Sequence, residues 1–176
     1  MWMIKCFVPG LLFLCLISGC ETEQVKINSD IPELKLLTIQ ELNDSIQINP
    51  RQLTLINFYA TWCRPCVREI PDLLSIADEY KDQMRLMMVS IDDSKVIEQK
   101  LPAFVSKYNI IDQSWFVPGD SPESVALILS LLPQWNRSIP VSLLYAPDGR
   151  LIHTYSGQID PEKLRSVLKT QDYENI

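Results

Sequence analysis

Leu53-Thr54-Leu55-Ile56-Asn57-Phe58-Tyr59-Ala60-Thr61-Trp62-Cys63-Arg64-Pro65-Cys66 is the stretch on which the reading of this chain turns. From Leu53 to Ala60 it is nearly all apolar and includes Phe58 and Tyr59, the pattern of a central strand covered on both faces. Behind the cysteines, Val67, Ile70, Leu73, Leu74, Ala77 and Tyr80 recur at helical spacing. That spacing predicts a helix of about four turns, kinked at Pro71. The cysteines thus stand where a strand stops and a helix starts. At a helix N-terminus, unpaired amides and the positive end of the dipole favour thiolate over thiol, bringing a free pKa of about 8.5 into the range of about 3.5 to 7.5. Cys63 occupies that position and is expected to be the exposed, more acidic sulfur. Pro65 restrains the first helical turn. Cys66, one turn further in, can reach Cys63 and expel a bound sulfur as a Cys63–Cys66 disulfide closes.

Working outward, Arg85 to Ile91 reads as a second buried strand and Asp93 to Tyr108 as a second helix interrupted by Pro102, together a βαβα unit. Val141 to Tyr145 and Leu151 to Tyr155 flank Pro147-Asp148-Gly149, a turn that favours an antiparallel hairpin. Asp160-Pro161-Glu162 opens a last helix whose Leu164, Val167 and Leu168 face the sheet. Upstream, Leu34 to Leu37 is a short apolar segment, and Thr38 and Glu41 have capping-box spacing for a short helix. The expected fold class is α/β, with a mixed central sheet (a parallel half plus a C-terminal antiparallel hairpin) and helices on both faces. Residues 109–138 read as an insertion holding Trp115, Phe116 and a helix from Pro122 to Leu132. Trp135 to Ser138 leads directly into Ile139-Pro140, so part of the insertion borders the cysteines and bears on partner choice. Ala126 to Leu132 reads as added core packing.

Phe58 to Cys66, with Glu69 and Pro71 behind, resembles the thioredoxin superfamily, in particular its TlpA/ResA-like extracytoplasmic branch, over roughly Leu34 to Lys169. The resemblance implies a thioredoxin-like fold and a thiol-disulfide oxidoreductase that works through a mixed disulfide and needs no cofactor. Ile139-Pro140 matches the cis-proline site that lies beside the dithiol in this family and receives substrate backbone, so Trp62, Pro65, Ile139 and Pro140 are the expected substrate-binding residues. Asn57 stands six residues before Cys63, where thioredoxins proper carry a buried aspartate. Glu69 resembles a glutamate that the branch keeps near its active site, which adds it to Cys63 and Cys66 as a catalytic candidate. By position alone it reads equally well as a solvated first-turn glutamate. Trp62 shields the disulfide or simply packs, Arg64 has a minor electrostatic part, and His153, alternating with apolar neighbours, reads as a surface residue.

The Arg-Pro pair between the cysteines lacks the histidine of the strongly oxidising relatives. That suggests a reductant nearer about −270 mV than about −120 mV. The implied partners are disulfide-bearing exported proteins, apocytochrome c among them, and a membrane electron donor.

At the N-terminus, Met1 to Lys5 carries one positive charge and Cys6 to Ile17 is a weakly polar to apolar run broken by Pro9 and Gly10. This is shorter than the ~20 apolar residues a spanning helix needs and reads as a signal peptide over residues 1–19. Ile17-Ser18-Gly19-Cys20 resembles a bacterial lipobox, which implies lipidation at Cys20 and a hold on the membrane through the lipid. Residues 20–33 then form a polar tether reaching at most roughly 40 Å, and 34–176 the domain. The expected location is the cell envelope, on the extracytoplasmic side. Cys6 and Cys15 leave with the signal, so Cys63 and Cys66 remain as thiols. With 16 basic against 22 acidic residues the chain carries −6, one more negative without Lys5, and nucleic acid is not an expected partner. No metal is expected either, since a closed zinc site needs four ligands and His153 is the single histidine. The rival reading is a noncatalytic thioredoxin-fold binding lipoprotein with a structural disulfide. A bridge closing so small a loop restricts the unfolded chain least, which argues against it.

Overall fold

The structure is a computed structural model and describes residues 34–47 and 52–170. The signal peptide over 1–19, Cys20 and the tether over 20–33 lie outside the described residues.

The quoted apolar run forms β2 (Leu53–Tyr59), buried at every one of its 7 positions. Its odd and even residues feed two separate cores. Leu55 and Tyr59 pack with α2 (Arg64–Glu79), α3 (Ser94–Gln99), α4 (Leu101–Tyr108) and α6 (Pro161–Thr170) on one face. Ile56 and Phe58 pack with α1 (Ile39–Gln47) and α5 (Pro122–Leu131) on the other. Strand alternation thus places helices on both faces of one sheet. β3 (Met84–Ser90) pairs parallel with β2 after the α2 crossover. β5 (Val141–Tyr145) pairs antiparallel on the other side of β2, and β6 (Leu151–Ser156) closes the hairpin at the edge. Gly149, at φ 85°, supplies the left-handed residue the hairpin turn requires.

One expectation gains an element and another needs correction. Besides its expected helix, the 109–138 segment supplies a strand to the sheet. Ser114–Phe116 forms β4, parallel to β3 and to the two-residue β1 (Lys35–Leu36), and the sheet order is β1-β4-β3-β2-β5-β6. The break in the helix expected over 93–108 falls at Lys100 rather than at Pro102. Pro102 sits in the first turn of α4, where its missing N–H would have had no partner in any case.

Candidate active site

β2 ends at Tyr59, and a turn of Ala60, Thr61 and Trp62 delivers the chain to α2, with the Cys63 amide bonded to the Ala60 carbonyl at 3.0 Å. Asp92, buried just after β3, fixes this turn. Its carboxylate accepts the Thr61 amide at 3.0 and 3.1 Å, the Thr61 hydroxyl at 2.8 Å and the Ser90 hydroxyl at 2.8 Å. Sequence reasoning did not single out Asp92. Its one signal is position, since sites in parallel sheets gather at the carboxyl ends of the strands.

Cys63 is the N-cap of α2, with Pro65 in the first turn, and its Sγ lies 3.3 Å from the Cys66 amide. The cysteines form a disulfide with S–S 2.02 Å. Cys66 is fully buried. Cys63 is only 5% exposed, so the expected open sulfur is instead a narrow window onto the surface. Ile139 covers it from the side: the Cys63 Sγ is 3.8 Å from the Ile139 carbonyl oxygen, and the Ile139–Pro140 peptide is cis. Ile139 is half-buried and Pro140 buried, and the Pro140 carbonyl accepts the Gly157 amide at 2.9 Å. Trp62 is 66% exposed beside the disulfide, Arg64 is exposed, and His153 lies on the exposed edge strand against Tyr155.

Glu69 is turned into the core, on the buried face of α2 that also carries Cys66, rather than out to solvent. It follows Cys66 by one turn on the buried face of α2 and is 3% exposed. One carboxylate oxygen accepts the Asn57 side-chain N–H at 2.8 Å and the other accepts the Ile159 amide at 3.0 Å. Burial pushes its pKa up, and these two donors pull it back only in part. The solvated first-turn reading therefore fails, because β2 and the segment after β6 enclose the side chain. Asn57 also donates to Ser142 on β5 at 2.8 Å, and the two residues are direct partners across the β2–β5 ladder.

Two clefts share Trp135 as lining, and the smaller of them reaches Trp62, the residue before Cys63. One, of about 190 Å³, runs between Trp62, Ile91, Gly119, Ile128, Trp135 and Arg137. The other, of about 730 Å³, lies along Leu131 to Trp135, Ser138 and the edge of β6. The 109–138 segment thus walls both. Gly119 closes against the loop after β3, where a Cβ would clash with the Ile91 carbonyl oxygen. The oxidised pair at the head of a helix, a cis proline across from it and a buried carboxyl behind it are the parts that thiol-disulfide exchange uses.

A family model described as Thioredoxin matches residues 33–107. The chain is 26% identical over 118 residues to the thioredoxin-like protein YneN of Bacillus subtilis, covering 61% of this chain and 69% of that protein. It is 24% identical over 148 residues to the thiol-disulfide oxidoreductase ResA of Oceanobacillus iheyensis, covering 81% and 71%. Among solved structures, a thiol:disulfide interchange protein of the thioredoxin family from Chlorobium tepidum superposes with a TM-score of 0.59 at 18% identity, over 73% of this chain and 83% of that one, a likeness of fold.

Proposed function

We propose that this chain, a thiol-disulfide oxidoreductase of the thioredoxin family, reduces disulfides of exported client proteins while held to a membrane by lipid on Cys20. The observation that carries the reading is the Cys63–Cys66 disulfide at the β2–α2 junction, 3.8 Å from the carbonyl that precedes the cis Pro140.

The reduced enzyme presents Cys63 as thiolate, stabilised by the amides of the first turn of α2. Its sulfur attacks one sulfur of the client disulfide, forming the mixed disulfide and releasing the other client sulfur as thiolate. Glu69 then takes the proton from the Cys66 thiol. The Cys66 sulfur bonds to Cys63, the bond between Cys63 and the client breaks, and the client leaves carrying the electron pair. Two electrons and two protons pass from the dithiol to the client, water supplying and accepting the protons at the surface. Trp62, Pro65, Ile139 and Pro140 form the rim that meets the client backbone, and the clefts walled by residues 109–138 select its flanking side chains. Re-reduction falls to a dithiol partner in the membrane. Apocytochrome c is one client class consistent with this reading.

Cys66→Ser tests it. The variant keeps the attacking sulfur and loses the resolving one, so clients should accumulate as mixed disulfides visible on nonreducing gels and identifiable by mass spectrometry. Cys63→Ser should trap few or none. If neither variant captures protein in cells, client reduction is the wrong reading.

A further inference from the structure

Glu69, Asn57 and Ser142 come from α2, β2 and β5 and meet where none of them is more than 3% exposed. The Asn57 amide directs its nitrogen at both neighbours, 2.8 Å from a Glu69 carboxylate oxygen and 2.8 Å from the Ser142 hydroxyl oxygen. Its own oxygen, Oδ1, is buried with no partner. A buried amide acceptor left unpaired costs free energy, and an asparagine held only for packing would use its oxygen or be replaced by an apolar residue. This amide is oriented for its N–H groups.

We propose that Asn57, held in that orientation by Ser142, is a positioning residue for Glu69: it keeps a donor on the carboxylate and so favours the base form of the side chain on the face of α2 that carries Cys66. The inference rests on the reading that Glu69 takes the Cys66 proton, and it adds the two residues that make such a base workable inside the core. Opposition in the β2–β5 register makes the arrangement stiff, since Ser142 is fixed across from Asn57 by the strand ladder and not by a loop.

The surroundings leave this amide as the main adjustable influence on Glu69. On α2 itself Asp72 is the charge that bears on it, in the same direction as burial. β2 and β5 carry no charged residue and contribute the phenols of Tyr59 and Tyr145, both pushed above their ordinary value by burial. On β3, Arg85 lies level with Thr54, at the far end of the strand. On α6, Arg165 is engaged by Glu79 and Glu162. β6 and the segment after it hold Tyr155, also pushed up by burial, and the exposed His153 and Asp160.

The test isolates the resolving step. In the reduced full-length chain carrying Cys6→Ser, Cys15→Ser and Cys20→Ser, so that Cys63 and Cys66 are its thiols, reaction with 5,5′-dithiobis(2-nitrobenzoate) places a nitrothiobenzoate on Cys63, and the second release of coloured thiolate reports attack by Cys66. Its rate is measured against pH. Asn57→Asp preserves size and shape but replaces the donor with an acceptor. It should move the rising limb upward by about one pH unit, roughly a tenfold slowing below the limb, because a second carboxylate disfavours the ionised form of the first. Ser142→Ala should shift the limb the same way by a smaller amount, about threefold in rate, and Ser142→Thr should restore it. A merely structural role would change stability and leave the limb in place. If Glu69→Gln abolishes the limb while the Asn57 and Ser142 variants keep it where the parent has it, the positioning role is overturned and the Glu69 reading survives. If Glu69→Gln leaves the limb untouched, both fall. The Ser142 pair keeps the test decisive should Asn57→Asp fail to fold.

Discussion

A carboxyl that is 3% exposed is costly to ionise, and the donors from Asn57 and Ile159 offset that cost without cancelling it, so Glu69 titrates above its ordinary value of 4.5. The sign for stability follows. Because the folded pKa exceeds the unfolded one, the contribution of Glu69 is full below the unfolded value and is lost as pH rises through the raised folded value. Glu69→Gln, neutral throughout, should therefore gain on the parent in urea unfolding as pH climbs from about 4 toward neutrality. Parallel pH profiles for the two proteins would show that the carboxyl does not titrate in this environment. The same residue marks a limit of sequence reading. A glutamate in the first turns of a helix ordinarily faces water, and what encloses this one is an asparagine 12 positions earlier and an amide 90 positions later.

Among the elements, those with a strong internal period were legible. β2 announced itself by an unbroken apolar run and α2 by its 3.6-residue spacing. The Thr38–Glu41 capping box is formed reciprocally, with the Thr38 amide on the Glu41 carboxylate at 2.8 Å and the Glu41 amide on the Thr38 hydroxyl at 3.1 Å. β4 was not legible, because Ser114-Trp115-Phe116 is too short to carry a period and is held by pairing with strands remote in sequence. The turn before α2 depends on a residue of the same hidden kind. Asp92→Ala strips the half-buried Thr61 amide and hydroxyl and the buried Ser90 hydroxyl of their acceptor, and should lower stability by about 2 kcal/mol, as expected for enclosed donors left unpaired. It should also broaden the environment of Trp62 next to the disulfide, visible as a loss of near-ultraviolet dichroism. Unchanged unfolding midpoints would mean the turn is held by the Cys63–Ala60 backbone bond alone. Gly119→Ala, whose Cβ would press on the Ile91 carbonyl, should cost about 1–3 kcal/mol and open the smaller cleft. Its measure is a lowered unfolding midpoint together with altered preference among disulfide peptides that differ beside the cystine.

At the scale of the whole molecule, the proposed function assigns anchor and chemistry to different cysteines, Cys20 and the Cys63–Cys66 pair. Cys20→Ala should abolish lipid labelling and release the protein into the soluble extracytoplasmic fraction with its dithiol activity intact. Persistent lipid labelling would assign the attachment to another residue. The site itself is assembled from distant parts of the sequence: the cysteines, the cis proline beginning at a residue 76 positions from Cys63, and the Ile159 amide 90 positions from Glu69. That spread has a consequence for the newborn chain. Emerging from the ribosome N-terminus first, it exposes both sulfurs well before the residues that cover and tune them. The reactive pair therefore begins life as two ordinary thiols, and its selectivity arrives only when the last strand and the turn beyond it have docked. A chain stopped at Ser156 would carry both cysteines of the site, Asn57 and Ser142, and would still lack the Ile159 amide that holds the second carboxylate oxygen of Glu69.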